Sequence, residues 1–282
     1  MGNHYVPRSY LKGFTERAES PYIYRYERGS KRVIRSNVSN VGQETRFYPD
    51  EVERFLAEKI ESPTNPVLAA IRNRQPITLE DRRILVDYMV VMMIRVPRSR
   101  EDRINWLKQN MDPYLDNLEN EIKQLSETHS DRMEIITRRL SELASLRAQG
   151  KPKPEAIWHA EMSPEDYPSV KWALENMTWQ FMTRKEDTFL TGDNPFFFFR
   201  ELGLGRKNSE FYFPISSKVG LWGTWQSKSL EGYRRAVDRI VLEMNRRIVS
   251  SATKYVFFPN KSDSLIRFVN KPNHRVTYLV PA

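Results

Sequence analysis

A chain of 282 residues, 39% hydrophobic and 12% aromatic, is long enough to bury a proper core and too rich in aromatics to be disordered. No run approaches the roughly 20 apolar residues of a membrane span, and with no cysteine and four histidines away from metal-ligand spacing, disulfides, thiolate catalysis, zinc ribbons and iron–sulfur clusters are excluded. The net charge of +9 is uneven: residues 1–100 hold 18 Lys/Arg against 12 Asp/Glu, residues 101–150 hold 7 against 10, and residues 151–282 hold 20 against 14.

In chain order, Tyr5 to Phe14 packs five large apolar or aromatic groups into an N-terminus, where chains are normally loose unless tied down. With Pro7 at its start and Gly13 as a C-cap, the segment reads as a short helix docked on the body, which fixes His4 in place. The alternation from Pro21 to Arg28, the turn at Gly29-Ser30 and the return from Arg32 to Ser36 read as a β-hairpin. A helix over Asp50 to Glu61 should stop at Ser62-Pro63, and Asn65-Pro66 opens another through Ile71. Thr78-Leu79-Glu80-Asp81 starts a long helix that reaches Leu107, kinked inside by Arg95-Val96-Pro97-Arg98, and breaks near Asp112-Pro113. Leu115, Leu118, Ile122 and Leu125 share one helical face, and Ile136, Leu140, Leu143 and Leu146 share another. A turn at Thr128 to Ser130 would join them as an antiparallel hairpin.

Beyond Gly150 the pattern changes to short strands: Thr178 to Thr183, Thr188 to Thr191, Glu210 to Ile215, Val219 to Trp225 and Tyr255 to Phe258, with a helix from Leu230 to Ser251. The expected architecture is α+β, with mixed or antiparallel strands packed on central helices and a projecting antiparallel helical hairpin. Residues 1–100 supply the docked segment, hairpin strands and core helices, 101–150 the helical arm, and 151–282 the strand-rich part of the same domain. The arm's faces also suit a protein partner or a second copy of the chain.

Few residues stand out as chemistry. Thr191-Gly192-Asp193-Asn194-Pro195 ends a strand and leaves Asp193 and Asn194 at its tip, although Gly-Asp-Asn-Pro is equally good turn chemistry. Arg95, beside the kink, could be aimed inward toward an anion. Glu61 sits at a helix end, where the macrodipole disfavours an acid without a partner. His4 with Arg95 supplies the acid/base and the cation that phosphodiester cleavage needs. No phosphate-binding glycine loop and no Gly-x-Ser-x-Gly occurs.

Asn3-His4-Tyr5-Val6-Pro7, with Tyr10-Leu11 and Phe14, resembles the opening of a widespread microbial "HYVP" family catalogued as a domain of unknown function, number four-two-three-eight. The similarity continues through Arg46-Phe47-Tyr48, Glu61, Arg95-Val96-Pro97-Arg98, Thr191 to Pro195 and Pro214-Ile215-Ser216. Gly192 stands where such relatives carry Ser. The resemblance implies no activity or cofactor, but its motifs favour His, Glu, Arg, Asp and Asn, the composition of a site.

The functional expectation is a nucleic-acid-directed hydrolase, an RNase in its sharpest form, in the cytoplasm and off the membrane. His4 is its general acid/base, Arg95 binds phosphate, and Asp193 orients His4 or holds a Mg²⁺, with Glu61 and Asn194 nearby. RNA is favoured over DNA, and another polyanion remains open. The competing expectation is a non-catalytic nucleic-acid- or protein-binding module in which the same residues form a structural polar network.

Overall fold

The computed structural model describes residues 2–16, 20–128, 132–148, 150–226 and 228–279. The chain is α+β and divides into two compact units, Met1–Arg98 with Met162–Ala282, and Ser99–Glu161. In the first, β1 (Gly2–His4) is followed by α1 (Arg8–Leu11), β2 (Tyr22–Glu27), β3 (Arg32–Asn37) and β4 (Gln43–Thr45). The helices α2 (Asp50–Phe55) and α3 (Ser62–Arg72) are joined without a break by a π-helical segment, Leu56–Glu61. The stop expected at Ser62-Pro63 is therefore absent. A π turn displaces the carbonyls that a proline ring would otherwise strike, and the Thr64 hydroxyl takes the Ile60 carbonyl at 2.6 Å.

The next helix, α4 (Leu79–Ile94), opens on the expected capping box at Thr78 and Asp81. It ends at Arg95, and α5 (Pro97–Thr128) begins afresh, so the anticipated kink is a break between two helices. Proline disfavours helical backbone in the residue before it and suits a first helical position. The break expected near Asp112-Pro113 is present: the backbone leaves helical geometry at Asn110, so α5 is two helical stretches meeting at a kink just before Pro113. Within Ser99–Glu161, Leu107, Met111 and Leu115 of α5 share a small core with Leu143 of α6 (Met133–Ala148). Arg147 pairs with Asp116 at 2.7 Å, so the two helices form the hairpin that their stripes require. The joining turn lies outside the described residues after Thr128. This unit also takes in α7 (Pro154–Ala160), through Ile157 against the same core and Glu161 paired to Arg103.

The first unit resumes with α8 (Pro168–Asn176), β5 (Thr178–Thr183), β6 (Thr191–Gly192), β7 (Phe197–Phe198), β8 (Glu210–Ser216), β9 (Val219–Thr224) and β10 (Gly232–Arg235). It closes with α9 (Asp238–Ser251), β11 (Tyr255–Phe258) and α10 (Asp263–Val269). One sheet runs β10-β5-β9-β8-β7, a second β3-β2-β11-β6, and β1 pairs with β4. All six residues of β5 are buried because both faces are covered, which erases the alternation that marks a half-exposed strand. On one face Tyr212 and Trp222 join a core with Met244 and Ile248 of α9, and with Tyr26 and Val256 of the second sheet. On the other face Phe213 meets Tyr10 and Tyr88. The helix expected from Leu230 begins only at Asp238, since Gly232 to Arg235 pair in parallel with β5 and Tyr233 stacks on Phe181. Among the described residues no helix is long and apolar enough to cross a membrane.

Candidate functional site

The N-terminus is tied down as its apolar density demands. Tyr5, Val6, Tyr10, Leu11 and Phe14 are buried. The Tyr10 hydroxyl meets Thr191 Oγ1 and the Pro214 carbonyl, each at 2.8 Å. Arg72 donates to the carbonyls of Tyr10 and Ile215. Gly13 is needed for space and not as a C-cap: a Cβ there would lie 2.8 Å from both Arg72 Nη2 and the Ile215 carbonyl.

This docking holds His4 at the wall of a cleft of about 680 Å³, which Arg8, Lys12, Glu53, Glu61 and Asn65 also line. Behind it lies Arg95, fully buried, with Nη1 on Glu61 Oε1 at 2.8 Å, Nε on the Tyr48 hydroxyl at 3.2 Å and Nη2 on the His4 carbonyl. Burial works against that charge, but Tyr48 and Glu61 more than offset it. Glu61, expected at a helix end, lies within a continuous helix, and its carboxylate is paired with Arg95. The guanidinium is committed to positioning the His4 backbone, not to a phosphate in the cleft.

Glu53 is the residue that reading the sequence missed. The Asn3 side chain and the His4 backbone both act to favour its charged form. Burial, above all, raises its pKa above the usual 4.5. Burial first, then the Arg8 guanidinium, lower the His4 pKa below the usual 6.5, while the Ser39 backbone acts to raise it. Two atoms here, His4 Nε2 and Glu53 Oε2, are shielded from solvent and find no hydrogen-bond partner among the described residues. Each such atom costs about 1–3 kcal/mol, and shifted titrations of this kind concentrate at working sites. The signal was legible in principle. Glu53, Ala57 and Glu61 stand one helical turn apart on one face, with small Ala57 leaving room between two acids.

Asp193 and Asn194 are given other partners. Asp193 is 2% exposed, and its carboxylate accepts N–H bonds from Thr253, Lys254 and Tyr255 at 2.8, 2.6 and 2.9 Å. It clamps the turn between α9 and β11. Burial pushes its pKa up while the three N–H bonds pull it down. Tyr5 is the N-terminal side chain that senses this charge: after burial, Asp193 is the next cause raising its pKa. Asn194 exchanges hydrogen bonds with Ser251. Gly192 belongs to the same packing, since a Cβ would come within 3.1 Å of the Tyr255 carbonyl. Among the described residues no group of three His, Cys, Asp or Glu is placed to hold a metal, and Asp193 faces N–H donors.

Residues 3–262 match a family described as "Protein of unknown function (DUF4238)". The chain belongs to the DUF4238 family. Searches among curated proteins and among solved structures gave no match. In this DUF4238 protein the family-like motifs do two jobs. Tyr10, Thr191, Asp193 and Pro214 dock the N-terminus and lock the sheet, whereas His4, Glu61 and Arg95 gather at the cleft. Asp193→Asn should therefore lower stability by about 1–2 kcal/mol, because one acceptor becomes a donor facing N–H groups. Chemical denaturation measures that loss, and any catalytic rate per folded molecule should be unchanged.

Proposed function

We propose that this DUF4238 protein is an RNase that cleaves RNA by acid–base-catalysed transesterification in the His4–Glu53 cleft. The observation that carries this reading is that His4 and Glu53 line one polar cleft and that each holds a shielded atom, Nε2 and Oε2, without a hydrogen-bond partner among the described residues. Their environments favour a neutral, basic histidine and a protonated, acidic carboxyl, which supports a base and an acid in these places. His4 Nε2 takes the proton from a ribose 2′-hydroxyl as its oxygen attacks phosphorus. The P–O5′ bond breaks, and Glu53 gives its proton to the departing 5′-oxygen, leaving a 2′,3′-cyclic phosphate. Arg8, exposed at the mouth and close enough to depress the His4 pKa, stabilises the added charge on phosphorus, with Lys12 beside it. RNA is favoured over DNA because it brings its own nucleophile. The excess of Lys and Arg in residues 1–100 and 151–282 supports a polyanionic substrate.

A second reading, a nucleic-acid-binding module without chemistry, draws on Arg95 and Asp193, which are sealed and fully engaged in fold contacts. One experiment separates the two. Purified protein is incubated with an RNA and the DNA of the same sequence, with Mg²⁺ and with a chelator. The proposal expects RNA ends bearing 2′,3′-cyclic phosphate and intact DNA; binding without cleavage favours the module. The rate should be bell-shaped in pH. It falls at low pH as His4 protonates below its ordinary 6.5, and falls at high pH as Glu53 ionises above its ordinary 4.5.

A further inference from the structure

Trp172 on α8 is 59% exposed, an unusual cost for the largest apolar side chain, and its ring centroid lies 5.7 Å from that of Trp225. Trp225 is half-buried and held in place: its Nε1 donates to the Leu204 carbonyl at 2.8 Å. The loop that supplies that carbonyl continues directly into Arg206 and Lys207, both exposed. It is a formed turn, closed by Ser209 Oγ accepting the Arg206 N–H at 3.1 Å and by the Ser209 N–H on the Arg206 carbonyl at 2.8 Å. An exposed indole in ring contact with a second, anchored indole, whose anchoring loop carries two exposed cations, is the combination that takes a base by stacking and its phosphates by charge. Duplexes hide their base faces, so only single strands can use it.

We propose that Trp172 and Trp225, with Arg206 and Lys207, form a platform for single-stranded nucleic acid, which rests on the RNA reading above and narrows its substrate to unpaired strands. Bases stack on Trp172, Trp225 keeps that ring in place, and the two cations follow the backbone.

The test uses the full chain carrying His4→Ala, so that bound RNA stays whole and binding is read without turnover. Failure of the cleavage reading therefore leaves this measurement intact. Labelled oligoadenylate RNA, its DNA counterpart and the matching RNA duplex are titrated by fluorescence anisotropy. Adding Trp172→Ala should raise the Kd for either single strand about tenfold, within the range that stacking on one aromatic ring supplies. Trp172→Phe should recover most of the affinity, and Trp106→Ala, at another exposed tryptophan, should leave it unchanged. Arg206→Gln with Lys207→Gln should flatten the salt dependence by about two phosphate contacts. Equal Kd values with and without Trp172, equal losses from Trp172→Ala and Trp106→Ala, or a duplex bound as tightly as the single strands would each overturn the platform.

Discussion

Arg95→Met is expected to lower the stability of the protein by about 3 kcal/mol or more, the usual consequence of removing one partner from a buried ion pair. The guanidinium is completely buried, and it joins three separate pieces of chain: Glu61 in the π turn, Tyr48 before α2, and the His4 carbonyl in β1. Methionine fills much of the volume but leaves a carboxylate and a backbone carbonyl without their donors. The pairing itself, and not lost packing, should dominate. Arg95→Met combined with Glu61→Gln should therefore recover part of the loss, since no uncompensated charge is then left behind. Denaturant midpoints of the two variants and the wild type check this. A single variant within about 0.5 kcal/mol of wild type, the range of an ordinary surface change, would mean that Arg95 does not hold the N-terminus in place.

Much of this arrangement was legible in the sequence, and the gaps have physical causes. The density of Tyr5, Val6, Tyr10, Leu11 and Phe14 announced a docked N-terminus, because no free tail gains from carrying such groups. The capping box at Thr78 and the stripes through Leu115 and Leu143 were readable from local chemistry and period. Local rules misled where tertiary packing overrode them. Pro63 reads as a stop, yet a π turn carries the helix through it; Leu230 to Val237 has no strand pattern, yet Gly232 to Arg235 pair with β5. The site fared similarly. His4, Glu61 and Arg95 were picked out by residue type and do meet, through the His4 carbonyl and the Glu61 carboxylate. Asp193 was picked out by the same reasoning and clamps a turn instead, because a strand-tip acid and a turn-capping acid look alike in one dimension. Glu53 was passed over because the groups that act on it, Asn3 and His4 among them, come from some fifty residues away in sequence.

The largest effect is expected at the cleft. His4→Ala removes the group assigned as general base, and Glu53→Gln removes the group assigned as acid, while both leave Arg95, Tyr10 and Asp193 in place. Loss of a positioned acid or base lowers a rate by about 10²–10⁴-fold. Stability should change little in either case. His4 Nε2 and Glu53 Oε2 make no hydrogen bond among the described residues, so losing those atoms removes an unmet demand as well as some packing. Glu53→Gln should also abolish the high-pH fall in the residual rate, since the ionisation responsible for it is gone. The decisive measurement is the rate of RNA cleavage by wild type, His4→Ala and Glu53→Gln, taken beside the denaturation midpoint of each. The predicted result is a loss of at least 10²-fold in both variants with midpoints close to wild type; variants that are much less stable but cleave at the wild-type rate per folded molecule would contradict it and make His4 and Glu53 parts of the fold alone.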